Sequence, residues 1–147
     1  MTESFMSAAL DHARKAYDAG EVPVGAVIVK DNSIIASAHN LTETLHDPSA
    51  HAELLAIRAA CEMLGSPRLP ECDLYVTLEP CPMCATALSF ARIRRLYFGA
   101  SDPKGGGVEH GPRIFTSSSC HHKPEVYGGI DATESGELLK TFFQQRR

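Results

Sequence analysis

Residues 73–84 read DLYVTLEPCPMC. The first part of this segment is rich in β-forming residues and predicts a buried strand over residues 73–78. Glu79 and Pro80 end that strand, because proline cannot donate to a sheet ladder. Pro82 suits the first helical position after Cys81, so a helix is predicted to begin there and to run to about residue 90. A strand that leads directly into a helix is typical of an α/β fold.

The rest of the chain continues this alternation of strands and helices. Further strands are predicted over residues 24–29, 34–38, 94–98 and 125–127, and further helices over residues 2–19, 50–64 and 132–143. Ser49 and Asp131 are the predicted N-caps of the last two helices. The alternation predicts one sheet covered by helices on both faces. A length of 147 residues suits a single domain over residues 1–147.

Two cysteines at the predicted start of a helix, Cys81 and Cys84, have the spacing of metal ligands. Upstream, His51 and Glu53 lie at the start of another predicted helix. One imidazole and two thiolates would give a zinc ion three protein ligands and leave the fourth tetrahedral position open to water, which is typical of a catalytic site. The sequence therefore predicts one zinc ion per chain, bound by His51, Cys81 and Cys84.

The two cysteines have other interpretations when they are considered alone. A C-x-x-C pair is also found in redox proteins and in structural zinc sites. This chain has no second C-x-x-C to complete a four-cysteine site, and the upstream His51 favours catalytic zinc. His51 and Glu53 are two residues apart, so they do not share a side face of a helix and can converge only near its N-terminus. There Glu53 is free to move protons.

Composition limits the possible partners and the compartment. The net charge of −4 argues weakly against general nucleic-acid binding, although basic residues are more frequent in the second half of the chain. From charge alone, solvated faces are the favoured interpretation of those residues. An odd number of cysteines, five, fits the reducing cytoplasm better than a disulfide framework. We expect no membrane partner, because no apolar string approaches the ~18 residues that a membrane span needs.

Beyond the metal ligands, several further segments carry a resemblance to a known family. The pattern H-x-E followed by P-C-x-x-C is shared by zinc nucleobase deaminases and does not by itself choose a substrate. The segments that carry a closer resemblance are residues 23–27 (PVGAV), Asn40, residues 46–53 (HDPSAHAE), residues 75–81 (YVTLEPC), residues 92–95 (RIRR), residues 98–104 (FGASDPK) and residues 142–147 (FFQQRR). With these segments, most of the chain resembles the bacterial tRNA-specific adenosine deaminases, and Asn40, Asp102 and the C-terminal FF-x-x-RR pattern point to this tRNA branch.

The resemblance implies a fold, an assembly and a reaction. The expected fold is a three-layer α/β/α arrangement with a five-stranded mixed sheet, and the expected assembly is a homodimer. The implied reaction is zinc-dependent hydrolytic deamination of adenosine to inosine at the wobble position of a tRNA anticodon loop. The partner is then a tRNA anticodon stem-loop, whose unpaired base can be flipped out at low cost.

The resemblance also implies roles for individual residues. Glu53 would take a proton from water and pass it to the ring nitrogen and then to the leaving amine. Asn40 and the backbone N–H of Ala52 would orient the base, and Asp102 would contact the sugars of the loop. Since the chain has no tryptophan, base stacking would fall to other aromatic residues, and Phe143 is a candidate at the substrate edge. Helix packing is the alternative role for one of Phe142 and Phe143.

Two alternative functions and one question of loop structure are considered at this point. A free nucleobase or nucleotide deaminase acting on guanine, cytosine or deoxycytidylate would use the same zinc ligands. A non-enzymatic zinc module that binds RNA or protein is disfavoured by Glu53, since a structural site has no use for a free carboxylate. For residues 105–107, three consecutive glycines, a flexible turn is favoured over a backbone site for phosphate.

Overall fold

One mixed β-sheet organises the protein. The computed structural model describes residues 4–146, and within them five strands form this sheet. The strands are β1 (Gly25–Lys30), β2 (Ser33–His39), β3 (Cys72–Leu78), β4 (Arg95–Ala100) and β5 (Glu125–Tyr127). Their order across the sheet is β2-β1-β3-β4-β5. β1 runs antiparallel to β2 and β3, whereas β3, β4 and β5 are mutually parallel.

Helices cover both faces of this sheet. They are α1 (Phe5–Asp18), α2 (Ala52–Leu64), α3 (Pro82–Phe90) and α4 (Ala132–Gln145), with a short 3-10 helix at Ile114–Thr116. α2 and α3 pack on one face, and α1 and α4 lie side by side on the other. This arrangement confirms the predicted three-layer α/β/α fold with a five-stranded mixed sheet. None of the described helices combines the length and apolarity that a membrane crossing requires.

Because successive side chains of a strand point to opposite faces of the sheet, the core is divided between the two faces. In β1, Ile28 points toward α2 and α3, whereas its neighbour Val27 points toward α1. The larger core cluster includes Ala56, Ile57, Leu74, Leu88, Leu96 and Phe98. Met6, Ala9 and Leu10 of α1 form the smaller cluster with Val27 and Val29. Packing on both faces explains why the central strands are apolar along nearly their whole length.

Most element boundaries agree with the sequence predictions, and two differences have clear causes. Ser49 is not the N-cap of α2, because its hydroxyl donates to Asp47 Oδ1 (2.7 Å) and the helix begins only after His51. β4 extends to Ala100, because parallel pairing with Leu78 of β3 prolongs it. The N-terminal start predicted for α1 at residue 2 lies outside the described residues.

The topology collects several chain segments at one edge of the sheet. β2 and β3 both run toward this edge, and each is followed by a helix that begins there. β4 ends at the same edge, because it is parallel to β3. β1 starts there, because it is antiparallel to both of its neighbours. The carboxyl ends of parallel strands are the usual place for a ligand site in a sheet of this type.

Candidate metal centre and active site

The three predicted metal ligands converge at this edge. His51, Cys81 and Cys84 each offer one ligand atom, and all these atoms lie within 4.8 Å of one another. His51 Nδ1 is 3.6 Å from the Cys81 Sγ atom and 3.5 Å from the Cys84 Sγ atom. Residues about thirty positions apart in the sequence therefore meet in a single cluster.

The spacing of these atoms fits zinc. Zinc binds cysteine sulfur at about 2.3 Å and histidine nitrogen at about 2.0 Å in a tetrahedral arrangement. A tetrahedral angle between two such bonds places nitrogen and sulfur about 3.5 Å apart. The observed separations of 3.6 Å and 3.5 Å match this value. Two thiolates and one imidazole are also the donor types that zinc prefers.

Two helix N-termini present the ligands. His51 is the N-cap of α2 and Cys81 is the N-cap of α3, and neither side chain makes a capping hydrogen bond in the described part of the chain. Both side chains are thus left available to a metal ion, although an N-cap serine or aspartate would stabilise such a helix by about 1 kcal/mol. Pro82 occupies the first turn of α3, as the sequence predicts.

The surroundings of Cys81 favour its thiolate form, which is the form that binds metal. A hydrogen bond from Cys84 lowers the pKa of Cys81 to about 4, and His51 acts in the same direction against the opposing effect of burial. The positive end of the α3 dipole also favours a negative charge at this position. These surroundings favour the thiolate form of Cys81 at neutral pH.

Glu53 lies beside the cluster without belonging to it. It occupies the first turn of α2, and only 4% of its surface is exposed. Burial raises the pKa of Glu53 to about 7, and the negative charge of Cys81 acts in the same direction. A carboxyl group poised near neutral pH is suited to both accepting and donating a proton.

A cavity of about 230 Å³ opens onto the cluster. The residues that line it are Val22, Val24, Asn40, His51, Glu53, Leu78, Glu79, Cys81, Asp102 and Gly105. Asn40 follows β2, and Asp102 follows β4, so each comes to the cavity from a strand end. Ala52 is the first residue of α2, between His51 and Glu53, and is fully buried.

Phe143 is not among the residues that line this cavity. It lies on α4 with 50% of its surface exposed, whereas its neighbour Phe142 is buried. The Phe142 ring packs edge-on against Tyr17 of α1 at a centroid distance of 5.8 Å. Helix packing therefore accounts for Phe142, and the RNA contact expected of Phe143 remains a prediction.

Sequence reasoning missed part of the cavity wall. Val22, Val24 and Leu78 form its apolar side, and only their positions just before β1 and at the end of β3 signal this location. Glu79 also lines the cavity, although in the sequence it only marks the end of a strand.

Gly106 and Gly107 are required by close packing and not by flexibility. A Cβ atom on Gly106 would come within 2.4 Å of Glu79 Oε2, and one on Gly107 would come within 2.6 Å of the Pro82 nitrogen. Such distances are far inside van der Waals contact. The loop after β4 therefore lies directly against the segment that carries the metal ligands, and the flexible turn expected from sequence is replaced by a packed one.

Three clustered ligand side chains and a buried carboxylate beside one cavity are characteristic of a zinc hydrolase. The order in which the chain supplies them, H-x-E and then P-C-x-x-C, is that of the zinc nucleobase deaminases.

Comparison with known proteins defines the family more closely. Residues 1–100 match the family described as the cytidine and deoxycytidylate deaminase zinc-binding region. The chain is 58% identical over 143 residues to the tRNA-specific adenosine deaminase of Agrobacterium fabrum, which covers 97% of this chain and 94% of that protein. The chain therefore belongs to the zinc-dependent deaminases, in the family of the tRNA-specific adenosine deaminases, as the sequence analysis predicted.

Solved structures show the same relationship. One structure, from a study of A-to-I editing by tRNA:A34 deaminases at the wobble position of transfer RNA, superposes with a TM-score of 0.91 at 59% identity. That match covers 92% of this chain and 98% of the other. A guanine deaminase from Bacillus subtilis gives a TM-score of 0.65 at 44% identity and covers 69% of this chain and 66% of its own. The similarity to the tRNA:A34 deaminase is thus both closer and more complete.

Proposed function

We propose that this protein deaminates adenosine to inosine at the wobble position of a tRNA anticodon loop. The observation that carries the proposal is the buried Glu53 beside a His–Cys–Cys cluster, in a chain that aligns over nearly its whole length with tRNA-specific adenosine deaminases. The cavity of about 230 Å³ is smaller than the ~300–1,000 Å³ of typical small-molecule sites. A space of this size suits a single flipped-out base.

One zinc ion would be held by His51, Cys81 and Cys84. When bound, zinc supplies Lewis acidity, which makes a water molecule acidic enough to act as a nucleophile near neutral pH. Two thiolates reduce the net positive charge of the centre, so a nearby proton acceptor gains importance. Glu53 is in the position to serve as that acceptor.

Glu53 carries the proton through the reaction. It accepts a proton as the water oxygen attacks the amino-bearing carbon of adenine, and it donates that proton to the adjacent ring nitrogen. It then accepts the proton of the newly added hydroxyl group and donates it to the amine, and the carbon–nitrogen bond breaks to release ammonia and leave inosine. Because Glu53 lies within the first turn of α2, its position relative to His51 is set by the helix itself.

Polar groups around the cavity would orient the nucleotide. The Asn40 side chain is buried at the cavity, and the backbone N–H of Ala52 is one of the donors left unpaired within a helix N-terminus. Asp102 Oδ1 accepts hydrogen bonds from the backbone of Lys104 and Gly105, which orients the carboxylate. A carboxylate that accepts a hydrogen bond from a 2′-hydroxyl is one means of preferring RNA to DNA.

The anticodon stem-loop is the proposed form of the substrate. Its unpaired bases can leave the stack at low cost, and aromatic side chains can stack on them. Phe143, half-exposed on α4, is the proposed stacking residue outside the cavity.

The proposed assembly is a homodimer formed through α3. Met83 and Phe90 are seven residues apart on this helix, so they share one face, and Phe90 is 70% exposed. An exposed apolar stripe of this kind is suited to a second copy of the chain. Sedimentation velocity tests the assembly, and a monomeric wild-type protein at micromolar concentration would refute it.

The test of the function is inosine formation by the zinc-loaded protein. An anticodon stem-loop with adenosine at the wobble position is compared with free guanine, cytosine, adenosine and deoxycytidylate. We expect turnover of the stem-loop alone. The Glu53→Gln variant should retain zinc but lose about 10²–10⁴-fold in kcat, the usual contribution of general acid–base catalysis. Turnover of a free nucleobase with an untouched stem-loop would refute the assignment to tRNA and leave the zinc mechanism in place.

A further inference from the structure

We propose that Glu79 is a positioning residue that holds the loop after β4 as one wall of the active-site cavity, so that substrate binding depends on its buried carboxylate. This inference rests on the proposed function and concerns the same site.

The Glu79 carboxylate is buried and accepts five hydrogen bonds from a single loop. Oε1 accepts from the backbone N–H of Asp102 (2.9 Å) and from the His110 imidazole Nδ1 (2.8 Å). Oε2 accepts from the backbone N–H groups of Val108 (3.2 Å), Glu109 (2.9 Å) and His110 (3.1 Å). Only 1% of the Glu79 surface is exposed. One carboxylate thus binds the loop near both of its ends.

A carboxylate is the group that this arrangement requires. All five partners donate, and a carboxylate ion offers only acceptors. Hydrogen bonds to an ionised acceptor are stronger than those to a neutral one, and a buried donor without a partner is costly.

Close packing explains why this loop has glycine where it contacts the Glu79 carboxylate. Gly106 approaches the carboxylate so closely that any side chain would collide with Oε2. Gly107 donates its backbone N–H to the Pro80 carbonyl at 2.8 Å, next to the ligand Cys81. The loop is therefore attached to residues 79 and 80 through both backbone and side chain.

The attached loop carries substrate-facing groups. Asp102 and Gly105 line the cavity, and the Asp102 backbone is itself a Glu79 partner. Loss of that partner would displace Asp102, whereas Glu53 on α2 and the metal ligands on α2 and α3 would stay in place. A change at Glu79 is thus expected to affect substrate binding more than proton transfer.

The Glu79→Gln substitution tests the role with little change in volume. In its least disruptive orientation the amide nitrogen would replace Oε1 and face His110 Nδ1, which leaves the Asp102 N–H without an acceptor. We expect KM for the stem-loop to rise about 10-fold, which corresponds to about 1.4 kcal/mol, with kcat within about twofold and zinc content unchanged. Glu71→Gln is the matched control, because Glu71 is exposed at the opposite end of β3.

Hydrogen exchange gives a readout that does not depend on activity. In Glu79→Gln the amide of Asp102, which loses its acceptor, should exchange at least about 10-fold faster, whereas the amides of β1 should not change. Unchanged exchange and unchanged KM in a folded Glu79→Gln variant would overturn the proposal. A fall in kcat that follows loss of zinc would also overturn it, since Glu79 would then act on the metal site.

If Glu79→Gln does not fold, two substitutions at His110 test the same contact between Glu79 and the loop. His110 is partly exposed, so His110→Ala should fold and should raise KM, whereas His110→Gln retains a donor and should restore most of the affinity. If wild-type protein turns over no stem-loop, the proposed function fails. Hydrogen exchange in the Glu79 and His110 variants then still decides whether Glu79 holds the loop.

Discussion

The loop that connects β2 to α2 depends on a second buried carboxylate, and removing its charge should destabilise the protein measurably. Glu21 is fully buried between α1 and β1. Its Oε2 accepts hydrogen bonds from the backbone N–H and the hydroxyl of Thr44, both at 2.6 Å, and its Oε1 accepts from the Glu43 N–H at 3.2 Å. This loop leads to His51, so its order bears on the metal site.

The expected loss in the free energy of unfolding for Glu21→Gln follows from these hydrogen bonds. A glutamine can keep its oxygen toward Thr44, but its amide nitrogen then faces the Glu43 N–H, and two donors oppose each other. One buried donor without an acceptor costs about 1–3 kcal/mol, so we expect a loss of about 2 kcal/mol in the free energy of unfolding. For a chain of this length that corresponds to a fall of about 4–8 °C in Tm.

The same substitution has a predictable pH dependence. Burial alone would raise the pKa of Glu21, but the hydrogen bonds from Thr44 and Glu43 outweigh it, and the pKa is lowered in the folded protein. A carboxyl group whose pKa is lower in the folded state stabilises that state fully at pH values above its unfolded-state pKa. This stabilisation is lost as the pH falls through the folded-state pKa. The stability difference between wild type and Glu21→Gln should thus be complete at pH 7 and disappear in acid.

Urea unfolding followed by circular dichroism measures these differences. Glu62→Gln is the control, because Glu62 is exposed on α2 and its side chain has no hydrogen bond among the described residues. A Glu21→Gln variant within about 0.5 kcal/mol of wild type at pH 7 would refute the reasoning. A difference that persists unchanged below pH 3 would show that the effect does not arise from the carboxylate charge.

Three further predictions concern the metal site and α4. Cys81→Ser should lose most bound zinc by elemental analysis, since a hydroxyl is a poor zinc ligand; full zinc occupancy would contradict the ligand assignment. Phe142→Ala should lower the free energy of unfolding by about 3–5 kcal/mol, because its ring is buried. Phe143→Ala should change stability by less than about 0.5 kcal/mol but raise KM for the stem-loop; an unchanged KM would remove Phe143 from the proposed RNA surface.

Local signals predicted the elements that carry the site. Glycine at the end of α2, proline at the start of α3 and the apolar strand β3 between them can be read from neighbouring residues alone. Gly65, for example, adopts the left-handed conformation that ends α2, with φ of 64°. Ser49 misled the prediction, because its hydroxyl has a closer partner in Asp47 than the helix offers. Such competition between local hydrogen bonds is invisible until the turn geometry is known.

By itself, the sequence determined the chemistry of the centre, because the side chains that bind zinc are few and their spacing at helix starts is distinctive. The clustering of His51, Cys81 and Cys84, with Glu53 at the adjoining cavity, could therefore be predicted without coordinates. Only the tertiary structure decided which ordinary residues support them. Glu21 and Glu79 resemble surface carboxylates in the sequence, yet each is buried, because its hydrogen-bond donors lie more than twenty residues away and meet it only when the sheet assembles. Long-range partners of this kind leave no local pattern, and the fold alone brings them together.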